Sequence, residues 1–315
     1  MAGPKISICI PCYNQGAYLE ESIRSCLSQS DDNLEIIVSN NASTDITAEV
    51  MTSFAGNDRL TMLHQPSTLP MTDHWNTFAS QVTGVWVMLL CADDVLHRDA
   101  IAACRRIISD HDTLAAVFFE YDYLQASKIS EKVAFYPNNA IIPAAQQFSI
   151  FLKGNNFPLS AGMIRRDVID RLGWFNSEYR FCADWHLWLA ITADNPDGHV
   201  AYIHDKLFLY RQHAETETLK CIAKRQTIPE VARMKQHFVD HYVPAPERTQ
   251  YTQAAQLGTK KLALRYAQIA TDYGDAELAR YYNTLSATID TSPSSVAIPG
   301  PPYPLPEGSA IIPKF

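Results

Sequence analysis

Six consecutive apolar residues, Val85-Trp86-Val87-Met88-Leu89-Leu90, run straight into Cys91-Ala92-Asp93-Asp94. An unbroken run of that length reads as a strand buried on both faces, as in a parallel sheet covered by helices. Two adjacent carboxylates at its end are costly to bury unless something cationic meets them. At the carboxyl end of a strand in an open α/β sheet, that partner is a ligand or a metal. Hard divalent cations such as Mg2+ or Mn2+ prefer oxygen ligands and often bind through carboxylates plus substrate phosphates. The plain alternative is that Asp93 and Asp94 cap a helix from Arg98 to Ser109.

The first ~120 residues alternate strand and helix patterns, and that alternation implies parallel βαβ units with right-handed crossovers. Ile6 to Ile10 is a strand ended by Pro11, with turn chemistry at Asn14-Gln15-Gly16. Leu19, Ile23, Cys26 and Leu27 mark one face of a helix. Glu35 to Ser39 is a second strand, followed by the capping-rich loop Asn40-Asn41-Ala42-Ser43-Thr44-Asp45 and a helix from Ile46. Further expectations are a strand over Arg59 to His64, a helix over Thr72 to Val82, and a strand at Ala115 to Phe119. Beyond that, helices are expected at Ile141 to Leu152, Asp167 to Leu172 and Asp184 to Ala193. Val200 to Ile203 and Leu207 to Tyr210 read as short strands. The chain then becomes helical at Ile228 to Tyr242, Tyr251 to Tyr273 and Ala276 to Ile289, and ends in a Pro-, Gly- and Ser-rich tail.

The 315 residues carry a net charge of −8 with no long basic tract, which argues against a nucleic-acid partner. The seven cysteines form no Cys-x-x-Cys pair, so neither a zinc knuckle nor a disulfide framework is suggested, and the usage fits a reducing cytosol. No apolar stretch reaches roughly 18 residues, so no membrane span is expected. Peripheral contact at the inner face of a membrane stays open.

Four segments carry chemistry. Tyr13, beside a strand end, offers a ring for stacking on a base, or is an ordinary turn residue. Asn40 offers an amide to a base edge, or caps the next helix. Asp93-Asp94 is the third. Asp184, in Phe181-Cys182-Ala183-Asp184-Trp185-His186-Leu187-Trp188, is either an N-cap or a general base. A carboxyl with an ordinary pKa near ~3.9 is ionised at neutral pH and accepts a hydroxyl proton in the transition state.

In order, Ile-Pro-x-Tyr-Asn from residue 10, Glu-Ile-Ile-Val-Ser-Asn-Asn-Ala-Ser-Thr-Asp from 35, Leu-Leu-Cys-Ala-Asp-Asp from 89, Asp-Trp-His-Leu-Trp-Leu from 184 and Tyr-Arg-Gln-His from 210 together resemble the family 2 glycosyltransferases of GT-A fold. The resemblance spans roughly residues 5 to 215. It implies an α/β fold over 1–215, a GT-A-like, Rossmann-type mixed sheet flanked by helices; outside the resemblance, the helical pattern and the composition give a helical extension over 216–290 and the Pro-rich tail over 291–315. The resemblance further implies inverting transfer from a nucleotide-diphospho-sugar with Mn2+ or Mg2+. Pro11, Tyr13 and Asn14 would lie at the nucleotide, and Asn40 takes the place of an Asp that pairs with uracil. Asp93 would sit nearer the sugar and ribose, with Asp94 as the direct metal ligand. Asp184 would be the base, Arg211 a diphosphate contact, and His213 a further metal ligand or a surface histidine. UDP comes first as donor nucleotide, with dTDP and GDP left open by the Asn40 amide. The acceptor would be a hydroxyl of a glycan, glycolipid or glycoprotein.

Three departures from the family pattern stand out. Asn40 replaces an Asp, Cys91 replaces a first acidic residue, and the stretch from Leu69 to Asn76 lacks the family's basic residue, with His74 as a weak substitute. Around the acceptor, Asn155, Asn156, Ser160 and Arg165-Arg166 form a polar loop, with Trp185 nearby and Trp174, Phe175 and Trp188 read mainly as packing. Two rivals remain. A sugar nucleotidyltransferase would show a Gly-rich phosphate loop where Pro11-Cys12-Tyr13-Asn14 stands. A non-catalytic module binding nucleotide-sugar or glycan is kept open by Asn40 and Cys91. A homo-oligomer through the helical region also stays open.

Overall fold

The computed structural model describes residues 3–214, 216–289 and 302–313. Chain order begins β1 (Ile6–Cys12), α1 (Gly16–Leu27), β2 (Leu34–Asn40), α2 (Thr47–Thr52), β3 (Leu60–His64), α3 (Met71–Asn76), β4 (Trp86–Leu89), β5 (Val95–Leu96) and α4 (Ala100–Asp110). It continues through β6 (Leu114–Gln125), β7 (Lys128–Ser130), β8 (Ala140–Pro143), α5 (Ala144–Lys153), β9 (Gly162–Arg165), α6 (Arg166–Leu172), α7 (Ala183–Asp194) and β10 (His199–Gln212). Helices α8 (Glu217–Ala223), α9 (Thr227–Tyr242), α10 (Arg248–Asp272) and α11 (Ala276–Thr288) follow, and β11 (Ala310–Ile311) closes the described chain.

The described strands form one mixed sheet ordered β11-β8-β10-β6-β9-β4-β1-β2-β3, with β5 paired to β10 and β7 to β6. The half built from β4, β1, β2 and β3 is parallel, as the strand-helix alternation requires. Every residue of β1 and β4 is buried, which explains their unbroken apolar character. The register sets Cys9 beside Leu89 and Cys12 beside Asn40, so the carboxyl ends of β1, β2 and β4 open on one side of the sheet.

The mixed character comes from β9, which runs antiparallel to both β4 and β6. Gly162 within it lies under α7: a Cβ there would stand 2.5 Å from the Trp188 ring. Trp188 is fully buried and donates its indole N–H to the Phe157 carbonyl at 2.8 Å. Truncating such a residue to Ala costs about 3–5 kcal/mol, so this contact fixes α7 on the sheet.

Several local expectations are corrected. Ile141 and Ile142 belong to strand β8, and the helix begins only at Ala144, because the two residues pair with β10. The two short strands at 200–210 are one strand with register shifts. The helix expected over Thr72 to Val82 is α3 followed by a 3-10 turn at Thr77–Ser80. Val85, the first residue of the apolar run, is half exposed and lies before β4.

Val231, Met234, Phe238 and Val239 of α9 join the main apolar core, whereas α8, α10 and α11 share a second cluster around Tyr266 and Tyr282. Part of the expected 291–315 tail lies outside the described residues. Its 302–313 portion is a docked strap. Tyr303 packs on Phe135 at 4.7 Å, β11 pairs antiparallel with β8, and Asn139 donates to the Pro313 carbonyl at 2.9 Å. Among the described residues, no helix is long and apolar enough to cross a membrane.

Candidate active site

The turns after β1 and β2 lock each other. The Asn14 amide donates to Ser43 Oγ at 2.9 Å, the Thr44 amide donates to Asn14 Oδ1 at 2.9 Å, and the Ser43 amide donates to Asn40 Oδ1 at 2.8 Å. Asp45 accepts from the Gly16 amide at 2.8 Å and from the Thr47 amide at 3.0 Å, which ties the starts of α1 and α2 together. Tyr13 stands half exposed above this frame, while Pro11 and Asn40 are buried beneath it. Asn40 thus already spends its carbonyl oxygen on its own loop.

Asp93 and Asp94 follow β4 at the same sheet edge. Asp94 is buried and engaged on both oxygens. Oδ2 accepts from Ser160 Oγ at 2.6 Å and Oδ1 from the Arg211 amide at 2.9 Å. Asp93 stays more open, and its Oδ2 lies 3.0 Å from His213 Nε2. Ligand atoms of Cys91, Asp93 and Asp94 lie within 4.8 Å of one another. Burial, and then the Asp93 charge, push the Asp94 carboxyl well above the usual carboxylate range. Burial and the flanking carboxylates likewise hold the Cys91 thiol protonated. The donor set is therefore oxygen with one imidazole, which suits a hard divalent cation rather than a thiolate-seeking one.

Arg211, on β10, turns inward. Its Nε donates to the Asp93 carbonyl at 2.6 Å, a second nitrogen pairs with Glu21 of α1, and the guanidinium lies 5.0 Å over the Tyr18 ring. His74 is buried with Nε2 2.8 Å from Ser39 Oγ, and burial lowers its pKa to about 4. A neutral, buried imidazole does not replace the basic residue missing from that stretch.

Asp184 lies in the first turn of α7, half-buried. Its Oδ2 accepts from Asn155 Nδ2 at 3.0 Å and its Oδ1 from the Trp185 amide at 2.7 Å. Burial raises the carboxyl above its ordinary value, and the Asn155 and Trp185 bonds pull the other way. The segment from Asn155 to Ser160 therefore touches both carboxylate centres, Asn155 at Asp184 and Ser160 at Asp94. Cys91 feels both as well, since the Asp94, Asp93 and Asp184 charges all raise its thiol, after burial.

The other residues expected on the acceptor side lie elsewhere. Arg165 pairs across from Trp86 and the Arg166 amide donates to the Val85 carbonyl, at the far end of β4 from the aspartates. They pair with Asp167 and Asp170. Trp185 is buried, with its indole N–H donated to the Phe151 carbonyl at 2.7 Å, and faces the interior. Asn156 is half-buried and donates to the Gly154 carbonyl at 3.0 Å. Glu21, Tyr18 and Ser160 as direct partners of Arg211 and Asp94 are additions to the sequence reading, which singled out only Ser160, for a different role. Sequence offered no sign of Glu21, a surface-patterned position on α1 that meets a residue 190 positions away.

The chain is similar to known proteins in sequence and in fold. The model of the family described as "Glycosyl transferase family 2" matches residues 7–173. A "PGL/p-HBAD biosynthesis glycosyltransferase" of Mycobacterium bovis is 27% identical over 215 residues, covering 67% of this chain and 78% of that protein. A chondroitin synthase of Pasteurella multocida is 33% identical over 116 residues, 36% of this chain but 12% of its own length. Among solved structures, S. aureus TarS 1–349 in complex with UDP-GlcNAc superimposes with a TM-score of 0.58 at 13% identity, covering 89% of this chain and 90% of that one. A mannosyltransferase from Pyrobaculum calidifontis, in complex with GDP-Man and Mn2+, does so at 0.51 and 18% identity, covering 90% and 84%. The structural neighbours are GT-A glycosyltransferases, and the mixed sheet with its helical flank has their fold.

Proposed function

Because the chain belongs to glycosyl transferase family 2, we propose that it moves a sugar from a nucleotide-diphospho-sugar to a hydroxyl of a glycan, glycolipid or glycoprotein, with inversion at the anomeric carbon. The observation carrying this reading is that the short segment 155–160 joins the two carboxylate centres, with Asn155 bonded to Asp184 and Ser160 bonded to Asp94. It ties a cation-seeking cluster to a proton acceptor through six consecutive residues.

Tyr13 stacks on the base, and the Asn14–Ser43–Asn40 frame holds the turn that presents it. Asp93 and His213 offer the open ligand atoms for Mn2+ or Mg2+. Asp94, bonded on both sides, braces them, the reverse of the order that the resemblance implies. When bound, the cation neutralises charge that develops on the departing diphosphate. Asp184 takes the acceptor proton as that oxygen attacks the anomeric carbon from the face opposite the diphosphate. The new C–O bond forms as the bond to the diphosphate breaks, and its electron pair leaves with the phosphate. Arg211 reaches the diphosphate only by releasing Glu21, and such a fork suits phosphate geometry.

The test pairs thermal-shift titration of UDP, GDP, dTDP and CMP, with and without Mn2+, with hydrolysis of UDP-GlcNAc and GDP-mannose. A metal-dependent shift for one nucleotide, together with turnover that vanishes in Asp184→Asn, supports the transferase. Binding without any turnover in the wild type would favour the non-catalytic module.

A further inference from the structure

Helix α9 lies outside the stretch matched by the family, yet it reaches into the turn that launches α7. Glu230 Oε1 accepts from the Phe181 amide at 2.6 Å, from the Cys182 amide at 3.0 Å and from Cys182 Sγ at 3.2 Å. Arg233 donates to the Glu178 carbonyl at 3.1 Å and lies 5.5 Å over the Tyr179 ring. Met234 Sδ meets Cys182 Sγ at 3.5 Å. Positions 230, 233 and 234 share one face of a helix by the i, i+3, i+4 rule, so a single face of α9 grips residues 178–182. Asp184 is two residues further on.

The other support of Asp184 is held by α10. Asn155, its side-chain donor, follows α5 by two residues. At the end of α5, the Lys153 carbonyl sits so close to Gly258 of α10 that a Cβ there would lie 1.9 Å from it. Only glycine permits that approach. The polar Glu230 is itself buried, and without it the Phe181 and Cys182 amides at the start of α7 lose their acceptor.

We infer that the helical extension is a clamp for Asp184, with Glu230 the positioning residue at its α7 end and Gly258 the contact at its Asn155 end. The inference rests on the reading of Asp184 as the base. Glu230 touches no reacting atom; it acts through the turn that aims the carboxylate. Fixing that aim matters because a misplacement on the order of 1 Å costs about 100-fold in rate.

The experiment compares Glu230→Gln, Glu230→Asp and Glu230→Ala with Asp184→Asn in the full chain. Two readouts are used: hydrolysis of UDP-GlcNAc and GDP-mannose with Mn2+, and hydrogen exchange at the Trp185 amide, which bonds to Asp184. Glu230→Gln keeps an acceptor oxygen and should keep both readouts near wild type. Glu230→Asp and Glu230→Ala should lower kcat by about 10- to 100-fold with KM for the sugar nucleotide unchanged, and should speed exchange at Trp185 while leaving β1 amides protected. If Glu230→Ala does not fold, Glu230→Asp carries the test with the shorter side chain. Unchanged Trp185 exchange and kcat in the folded variant, or a rise in KM with kcat intact, would overturn the clamp. Wild-type turnover in Asp184→Asn would instead sink the base assignment, and the Trp185 exchange would still decide the clamp without any substrate.

Discussion

Asp94 and Asp184 are both carboxylates pushed up by burial, but their neighbours differ. Beside Asp94 stands a second carboxylate, Asp93, whose charge is the next largest cause of its shift. Around Asp184 the direct partners are neutral donors, the Asn155 amide and the Trp185 N–H. A like-charge pair is relieved by a cation, whereas a lone half-buried carboxylate is relieved by a proton. On the reading proposed above, the same residue type serves metal binding in one place and proton transfer in the other, and the surroundings decide which.

The largest expected break in this comparison is Asp184→Asn. Turnover should fall by about 100- to 10,000-fold, the span of general-base catalysis, while Mn2+-dependent nucleotide affinity measured by calorimetry stays put. Because the folded pKa of Asp184 is raised, its contribution to stability is fully present below the usual carboxylate range and is lost as pH rises through the folded value. The variant should therefore gain melting temperature relative to wild type at neutral pH and not near pH 3. Next comes Asp93→Asn. The Mn2+-dependent part of nucleotide binding should disappear, and the metal-free melting temperature should rise as Asp94 loses its like-charged neighbour. A variant that still gains stability with Mn2+ and UDP would show that the pair is not the cation site.

A smaller effect is expected from Asn155→Ala. Loss of a bond that lowers the Asp184 pKa moves the acid limb of the rate profile to higher pH, with a fall in kcat of about tenfold. A limb that stays in place would separate Asn155 from the base. The smallest effect belongs to removal of residues after Thr291. Nucleotide affinity should not change, and the melting temperature should fall modestly, since the strap loses the Tyr303–Phe135 contact, worth about 1 kcal/mol beyond its buried area.

The parts of the fold visible in the sequence were those written locally. The β4 run and its aspartates, the capping-rich loop after β2 and the helical periodicity of α9 each need only neighbouring residues to declare themselves. What was hidden depends on distant partners. β9 has four residues and is a strand only because β4 and β6 flank it, so Arg165 and Arg166 read as a loop near the acceptor. Ile141 and Ile142 fitted a helical pattern until β10 claimed them. Within the site, Asp184 carried a motif, but Glu230 lies 48 residues beyond Cys182, the turn residue it holds. On the sequence it is one more polar position of an amphipathic helix. Arg211 matched a motif whose chemistry points outward, whereas Glu21 turns it in.

The pairing of β11 with β8 also bears on how copies of this protein meet. β8 is bonded to β10 on one side only, so without β11 its Ala140–Ile141 backbone would present open donors and acceptors along an apolar strand. Such an edge is a template for a strand from another molecule. A two-residue strand followed by Pro313 covers it and is itself too short to template a further one. The strap thus serves as a guard against sheet-to-sheet association, and its loss would be felt first as concentration-dependent aggregation.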